Sequence, residues 1–122
     1  MRKKKILVTD DEPNILKVVQ ARLEAMNFDV VTAIDAEDAL AKIPVEKPDL
    51  ILLDIMLPDK DGIALCKEIK ATPAMKGIPV VLFSARPQAD DAEPGCGVGA
   101  DAYILKPFNP QHLAETIHRI LG

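Results

Sequence analysis

Apolar runs alternate with stretches of helical periodicity from one end of the chain to the other. Ile6-Leu7-Val8-Thr9 is a short continuous run. A helical stretch from about Asn14 to Met26 follows, with Ile15, Val19, Leu23 and Met26 spaced along one face. Asp29 to Ala33 reads as a second strand. Asp35 is a candidate cap for a short helix over Ala36 to Ile43, and Pro44 is expected to end it. Leu50 to Asp54 is a third strand. Leu57-Pro58-Asp59-Lys60-Asp61-Gly62 is a loop, and a helix near Ile63 to Lys70 follows. Pro79 opens a fourth strand, where the missing amide proton is tolerated. Ala102 to Lys106 is a fifth. Asn109 as cap and Pro110 as first helical residue start a final helix striped by Leu113, Ile117 and Ile120. Strands that are apolar throughout, separated by amphipathic helices, predict a doubly wound α/β fold with five parallel strands covered on both faces.

The polar residues that close these strands carry the candidate chemistry. Asp10 and Asp11 close the first run, Asp54 the third, Ser84 the fourth and Lys106 the fifth. Sites in open parallel sheets collect at the carboxyl ends of the strands. Three carboxylates brought together repel one another, and a divalent cation removes that cost. Mg²⁺ takes oxygen ligands and commonly uses one or two carboxylates plus phosphate oxygens. Asp11 and Asp54 are candidate direct ligands, with Asp10 acting through water. A carboxylate can itself accept a phosphoryl group as nucleophile. Transfer then needs alignment and charge neutralisation, for which Lys106 and the Ser84 hydroxyl are suited.

Composition narrows the classes. The chain has 122 residues, which fits a single domain over residues 1–122. Apolar residues make up 48% and charged residues 28%, the balance of a folded globular protein. A net charge of −4 argues against direct nucleic-acid binding through bulk charge. Arg2-Lys3-Lys4-Lys5 reads as a solvated lead-in to the first strand. No apolar stretch approaches the roughly 20 residues of a membrane span. Cys66 and Cys96 have neither metal-ligand spacing nor a disulfide framework, and a reducing cytoplasm is the expected setting.

Together these residues resemble the receiver domain of bacterial two-component response regulators, along essentially the whole chain. The matching pieces are Thr9-Asp10-Asp11-Glu12, Asp54 with Leu57-Pro58 and Gly62, Ser84-Ala85, Gly99-Ala100-Asp101-Ala102-Tyr103, and Lys106-Pro107-Phe108. The resemblance implies a flavodoxin-like sheet of order 2-1-3-4-5 and phosphorylation of Asp54 from a phosphohistidine on a sensor histidine kinase. It implies Mg²⁺ held by Asp11, Asp54 and the backbone carbonyl of Met56, with Asp10 in the outer shell. It implies that Ser84 and Tyr103 act as switch residues and that the Lys106–Pro107 peptide is cis. The partners so implied are a sensor histidine kinase or a histidine phosphotransfer protein, then a downstream target or an output domain.

One segment departs from that pattern. The family expects a fourth helix between Ser84 and Gly99. Pro94 inside it would cost about 3 kcal/mol, and Gly95 and Gly97 about 1 kcal/mol each. A shortened or irregular fourth helix is therefore expected, begun by Pro87 and ended before Pro94.

Competing readings explain less. Strand-end acids can simply cap the next helix, which accounts for Asp10 or Asp11 but not for Asp54 and Lys106. Asp59 to Gly62 with Glu68 partly fits a calcium loop, yet its first ligand position is Leu57. His112 and His118 read as surface residues of the last helix, and Cys66 as a small core residue. An aspartyl-nucleophile phosphatase would want a second Asp where Met56 stands. An FMN binder would want a glycine- and hydroxyl-rich loop where Asp10-Asp11-Glu12 stands. A partner-binding module that works without phosphorylation would not need all five site residues. The expectation is a phosphoacceptor domain and not a turnover enzyme.

Overall fold

The computed structural model describes residues 3–84, 101–105 and 109–121. Five strands form one parallel sheet: β1 (Lys5–Thr9), β2 (Asp29–Ala33), β3 (Leu50–Asp54), β4 (Val80–Ser84) and β5 (Ala102–Leu105). The order across the sheet is β2-β1-β3-β4-β5. β1 lies between its two partners, with Thr9 beside Ala33 on one side and Leu53 on the other. Every residue of β3 is buried. That is what a central parallel strand requires, and it explains why its sequence runs apolar without alternation.

Helices cover both faces. α1 (Pro13–Ala25) and the C-terminal helix (Pro110–Leu121) pack on one; α2 (Ala36–Glu46) and α3 (Gly62–Ala71) pack on the other. Ile6, Val8, Leu50, Leu52, Val81 and Phe83 face the α1 side. Leu7, Ile51, Leu53 and Leu82 face the α2–α3 side. The strict alternation of neighbours between two cores is the period-2 geometry of a strand, here buried in both directions.

The helix ends follow local chemistry. The Asn109 side chain accepts from the amides of Gln111 (2.8 Å) and His112 (3.2 Å), as its expected capping role requires. α1 closes with paired bonds, Asn27 N–H to Glu24 O (3.0 Å) and Phe28 N–H to Leu23 O (3.1 Å). Asn27 takes the left-handed conformation (φ 74°), and buried Phe28 packs in the same core as Leu23.

Two expectations need correction. α2 does not stop at Pro44 but runs through it to Glu46. Proline removes its own amide donor and crowds the carbonyl four residues back, but here neither effect ends the helix. Pro44 lies on the exposed side of the helix, and Lys47 N–H still reaches Ile43 O at 2.9 Å. The end is set instead by Lys47, which turns left-handed (φ 51°) ahead of Pro48. In α1 the fully packed stripe is Leu16, Val19 and Leu23, with Ile15 and Met26 only half-buried beside it. The apolar stripe of a core-facing helix is wider than one i, i+4 row, so Leu16 takes the central place. The expected irregular helix over 87–94 lies outside the described residues.

Candidate functional site

Asp10 and Asp54 reach the same place because β1 and β3 are neighbours and both end there. Each acid is oriented by the same local device. Asp10 Oδ1 accepts from Glu12 N–H at 3.0 Å, and Asp54 Oδ1 accepts from Met56 N–H at 3.1 Å. A short acidic side chain that bonds the backbone two residues on makes a compact turn and fixes its own rotamer. Asp10 N–H also donates to Ala33 O at 3.1 Å, which extends the β1–β2 pairing into the site. Asp10 is wholly buried and Asp54 is 4% exposed, while Asp11 stands in solvent.

One carboxylate oxygen from each of Asp10, Asp11 and Asp54 falls within 4.8 Å of the others. Two of the three are buried, and carboxylates crowded out of water call for a compensating cation. An all-oxygen donor set with one open, solvated edge suits a hard divalent ion that keeps some of its waters. The residues present thus fit Mg²⁺.

The loop after β3 completes the pocket wall. Met56 pairs with Asp61 in an isolated antiparallel bridge, and Gly62 N–H donates to Ile55 O at 2.7 Å. Asp61 caps α3 through Ile63 N–H at 2.8 Å. Gly62 sits so close beneath β3 that a Cβ there would lie 2.2 Å from Asp54 O. Glycine at this position is required by space, not by backbone angle. The Met56 side chain is 55% exposed at the rim.

Sequence reasoning missed the role of Asp59. Its two carboxylate oxygens accept from Ala36 N–H (2.9 Å) and Glu37 N–H (3.0 Å), the first amides of α2. Asp35 takes the next, Asp38 N–H, at 2.7 Å. The Ala36 amide bond, more than any other influence, holds the Asp59 carboxyl below its usual range. No spacing rule links residues 59 and 36. The only available signal was a second acid near a helix start that already had a cap. Asp59 and Asp61 are thus committed to helix ends, which removes the calcium-loop alternative.

The remaining expectations divide by position. Tyr103 lies in β5, half-buried against the α2–α3 core. Ser84 closes β4 beside Leu105. The Ser84 hydroxyl, Lys106 and the Lys106–Pro107 peptide lie outside the described residues. Cys66 is fully buried, and burial pushes its thiol up to about 11. His112 and His118 are exposed, the latter with its ring 5.9 Å from that of Phe28. Among the described residues no helix is long and apolar enough to cross a membrane.

Comparison with known proteins agrees with this geometry. The family model "Response regulator receiver domain" matches residues 6–118. The alkaline phosphatase synthesis transcriptional regulatory protein PhoP of Bacillus subtilis is 44% identical over 118 residues, covering 97% of this chain and 48% of the relative. A probable transcriptional regulator ycf27 of Cyanophora paradoxa is 39% identical over 121 residues, covering 99% and 49%. The chain therefore spans about half the length of the curated relatives it matches. Among solved structures, a CheY-like receiver domain protein from Methanospirillum hungatei JF-1 superposes with a TM-score of 0.90 at 34% identity, covering 98% of this chain and 94% of that one. The chemotaxis response regulator CheY4 of Vibrio cholerae also gives 0.90, at 29% identity, covering 98% and 99%.

Proposed function

Because the chain belongs to the response regulator receiver domain family, we propose that it is a single receiver domain whose Asp54 accepts a phosphoryl group from a phosphohistidine. The donor is a sensor histidine kinase or a histidine phosphotransfer protein. The observation that carries this reading is the cluster of Asp10, Asp11 and Asp54 within 4.8 Å at adjacent strand ends.

In the transfer, an Asp54 carboxylate oxygen forms the new P–O bond as the P–N bond to imidazole breaks. The electron pair leaves on the imidazole nitrogen. Met56 N–H holds Asp54 Oδ1, which fixes the orientation of the attacking carboxylate. Asp11, Asp54 and the Met56 carbonyl would hold Mg²⁺, with Asp10 supporting it through water. When bound, the ion offsets the charge on the phosphoryl oxygens. Lys106, the next residue in sequence after β5, and Ser84, the last residue of β4, would serve the same oxygens. The phosphorylated state, relayed through Ser84 and Tyr103, is read by a partner protein or an output domain.

Intact-protein mass after incubation with acetyl phosphate and Mg²⁺ tests the assignment. The expected result is one phosphoryl adduct, lost in Asp54→Ala and lost with a chelator. An adduct of equal yield in Asp54→Ala, or none on the wild-type protein from acetyl phosphate or from a phosphorylated kinase, overturns it.

A further inference from the structure

The acid cluster is joined by a series of hydrogen bonds and short chain segments that includes a residue with no part in the chemistry. Asp10 N–H is tied to Ala33 O at the end of β2. Three residues on, Ala36 N–H is tied to Asp59 Oδ1, and Glu37 N–H to Asp59 Oδ2. Three residues before Asp59, Met56 N–H is tied to Asp54 Oδ1. Asp54 in turn lies beside Asp10 within the cluster. The series spans β1 from one neighbour to the other. Its one link between the β2–α2 turn and the β3–α3 loop among these bonds is the Asp59 carboxylate.

The base of the β3–α3 loop is fixed to α3 by Asp61, the Met56–Asp61 bridge and the Gly62–Ile55 bond. On the β2 side, Leu57 packs the loop into the same buried core as Ala33 and Ala36. Asp59 adds directional bonds to that apolar contact by gripping the α2 N-terminus with both oxygens, where amide donors and the helix dipole favour an anion. α2 does not depend on Asp59 alone for its start, because Asp35 accepts from Asp38 N–H. The second acid is therefore better explained by what it does for the loop than by what it does for the helix.

We infer that Asp59 is a positioning residue for the acid cluster: by clamping the Met56-bearing loop to the start of α2, it sets the affinity of the site for Mg²⁺. The inference rests on the proposed Mg²⁺ role of Asp10, Asp11 and Asp54. Residues that orient metal ligands from outside the coordination sphere typically change affinity by 10–100-fold when lost. Asp59 acts on the loop and not on a ligand atom, so the low end of that range applies, about tenfold.

The test is a direct Mg²⁺ titration by calorimetry of the wild-type protein, Asp59→Ala, Asp59→Asn and Asp35→Ala, with amide hydrogen exchange of the metal-free proteins. Asp59→Ala and Asp35→Ala each take one cap from the same helix, so both lose some thermal stability. Only Asp59→Ala is expected to weaken Mg²⁺ binding, by about tenfold, and to speed exchange at Met56. Asp59→Asn keeps one acceptor oxygen and gives an intermediate affinity. Equal weakening in Asp35→Ala overturns the inference, since helix stability would then be the cause. Equal weakening in Asp59→Asn and Asp59→Ala also overturns it, in favour of a distant charge effect. Wild-type affinity in Asp59→Ala overturns the inference alone, whereas no Mg²⁺ binding by the wild-type protein overturns the proposed function with it.

Discussion

Replacing Gly62 by alanine sets two effects of opposite sign against each other. Gly62 is the first residue of α3, and alanine is better than glycine in a helix interior by about 1 kcal/mol. Propensity alone therefore forecasts a more stable protein. The added Cβ, however, would lie 2.2 Å from Asp54 O, 2.7 Å from Ile55 Cα and 2.9 Å from Asp54 C. All three atoms are backbone of β3 and its exit, so no side chain can rotate away. A tolerable C···O approach demands a shift of about 1 Å, and such overpacking costs roughly 1–3 kcal/mol. Clash at least offsets propensity, and the net loss is about 0–2 kcal/mol. For a domain of this size that lowers Tm by up to roughly 8 °C. The shift also falls on Asp54, the proposed acceptor, so the rate of phosphorylation by acetyl phosphate is expected to drop by about tenfold or more. Gly77→Ala is the matched control, because a Cβ there meets nothing within 4 Å. Calorimetry of both variants beside initial rates of adduct formation decides the matter. A Tm for Gly62→Ala above the wild-type value, with an unchanged rate, would refute the steric argument.

Two further predictions concern parts of the fold remote from the chemistry. Lys47→Gly should stabilise the protein by about 0.5–1 kcal/mol, because Lys47 holds a left-handed conformation that costs a side-chain-bearing residue energy and glycine little; chemical denaturation showing a loss would contradict this. In a Cys96→Ser background, the buried Cys66 should resist thiol reagents at pH 8 until the protein unfolds, at which point one equivalent reacts. Its folded-state pKa is raised, so the unfolded chain ionises first: Tm should hold below its ordinary value near 9.0 and decline as pH climbs toward about 11. A Cys66→Ala variant with the same alkaline decline would assign that decline elsewhere.

Much of the site could be read from the chain because burial and chemistry coincide at strand ends. Leu50 to Leu53 is apolar throughout since β3 is covered on both faces, and Asp54 stands out against it for the same reason. Asp10 and Asp11 are visible by the same contrast. What was not legible depends on contacts between distant positions. Asp59 lies 23 residues from Ala36, and nothing local announces the pairing. Pro44 was a sound signal for a helix end, but the end is decided where Lys47 turns left-handed and Pro48 follows. The central place of Leu16 over Ile15 depends on how α1 rolls against Phe28 and the sheet, which periodicity fixes only to within one residue. Thr9 shows the same limit from inside the core. It ends the first apolar run and opens the Thr9-Asp10-Asp11-Glu12 piece, yet neither place shows that its hydroxyl is buried with no hydrogen-bond partner among the described residues.

The position of the site follows from the path of the chain rather than from any one residue. After β1 the chain passes through α1 to β2, at the edge of the sheet; after β3 it passes through α3 to β4, toward the other edge. α1 and α3 lie on opposite faces. The two connections therefore diverge above the adjacent ends of β1 and β3 and leave a crevice there, which is where ligands bind in open α/β sheets. Divergence opens the site but does not give it a fixed shape. On the α2–α3 side two contacts add to the Met56–Asp61 bridge and the Asp61 cap: the close approach of Gly62 to Asp54 O, which lets α3 start directly beneath the proposed acceptor, and the reach of Asp59 to the start of α2. One contact sets the height of the loop above β3, and the other sets its distance from β2. A substitution at either position should thus change the site without touching a carboxylate of the cluster. The two should also differ in kind. Gly62→Ala displaces the acceptor itself and lowers the rate at saturating Mg²⁺, whereas Asp59→Ala loosens the wall and is overcome by more Mg²⁺. Phosphorylation rates measured across a Mg²⁺ series separate these outcomes, and a rate deficit in Asp59→Ala that persists at saturation would show that the loop positions the nucleophile and not the ion.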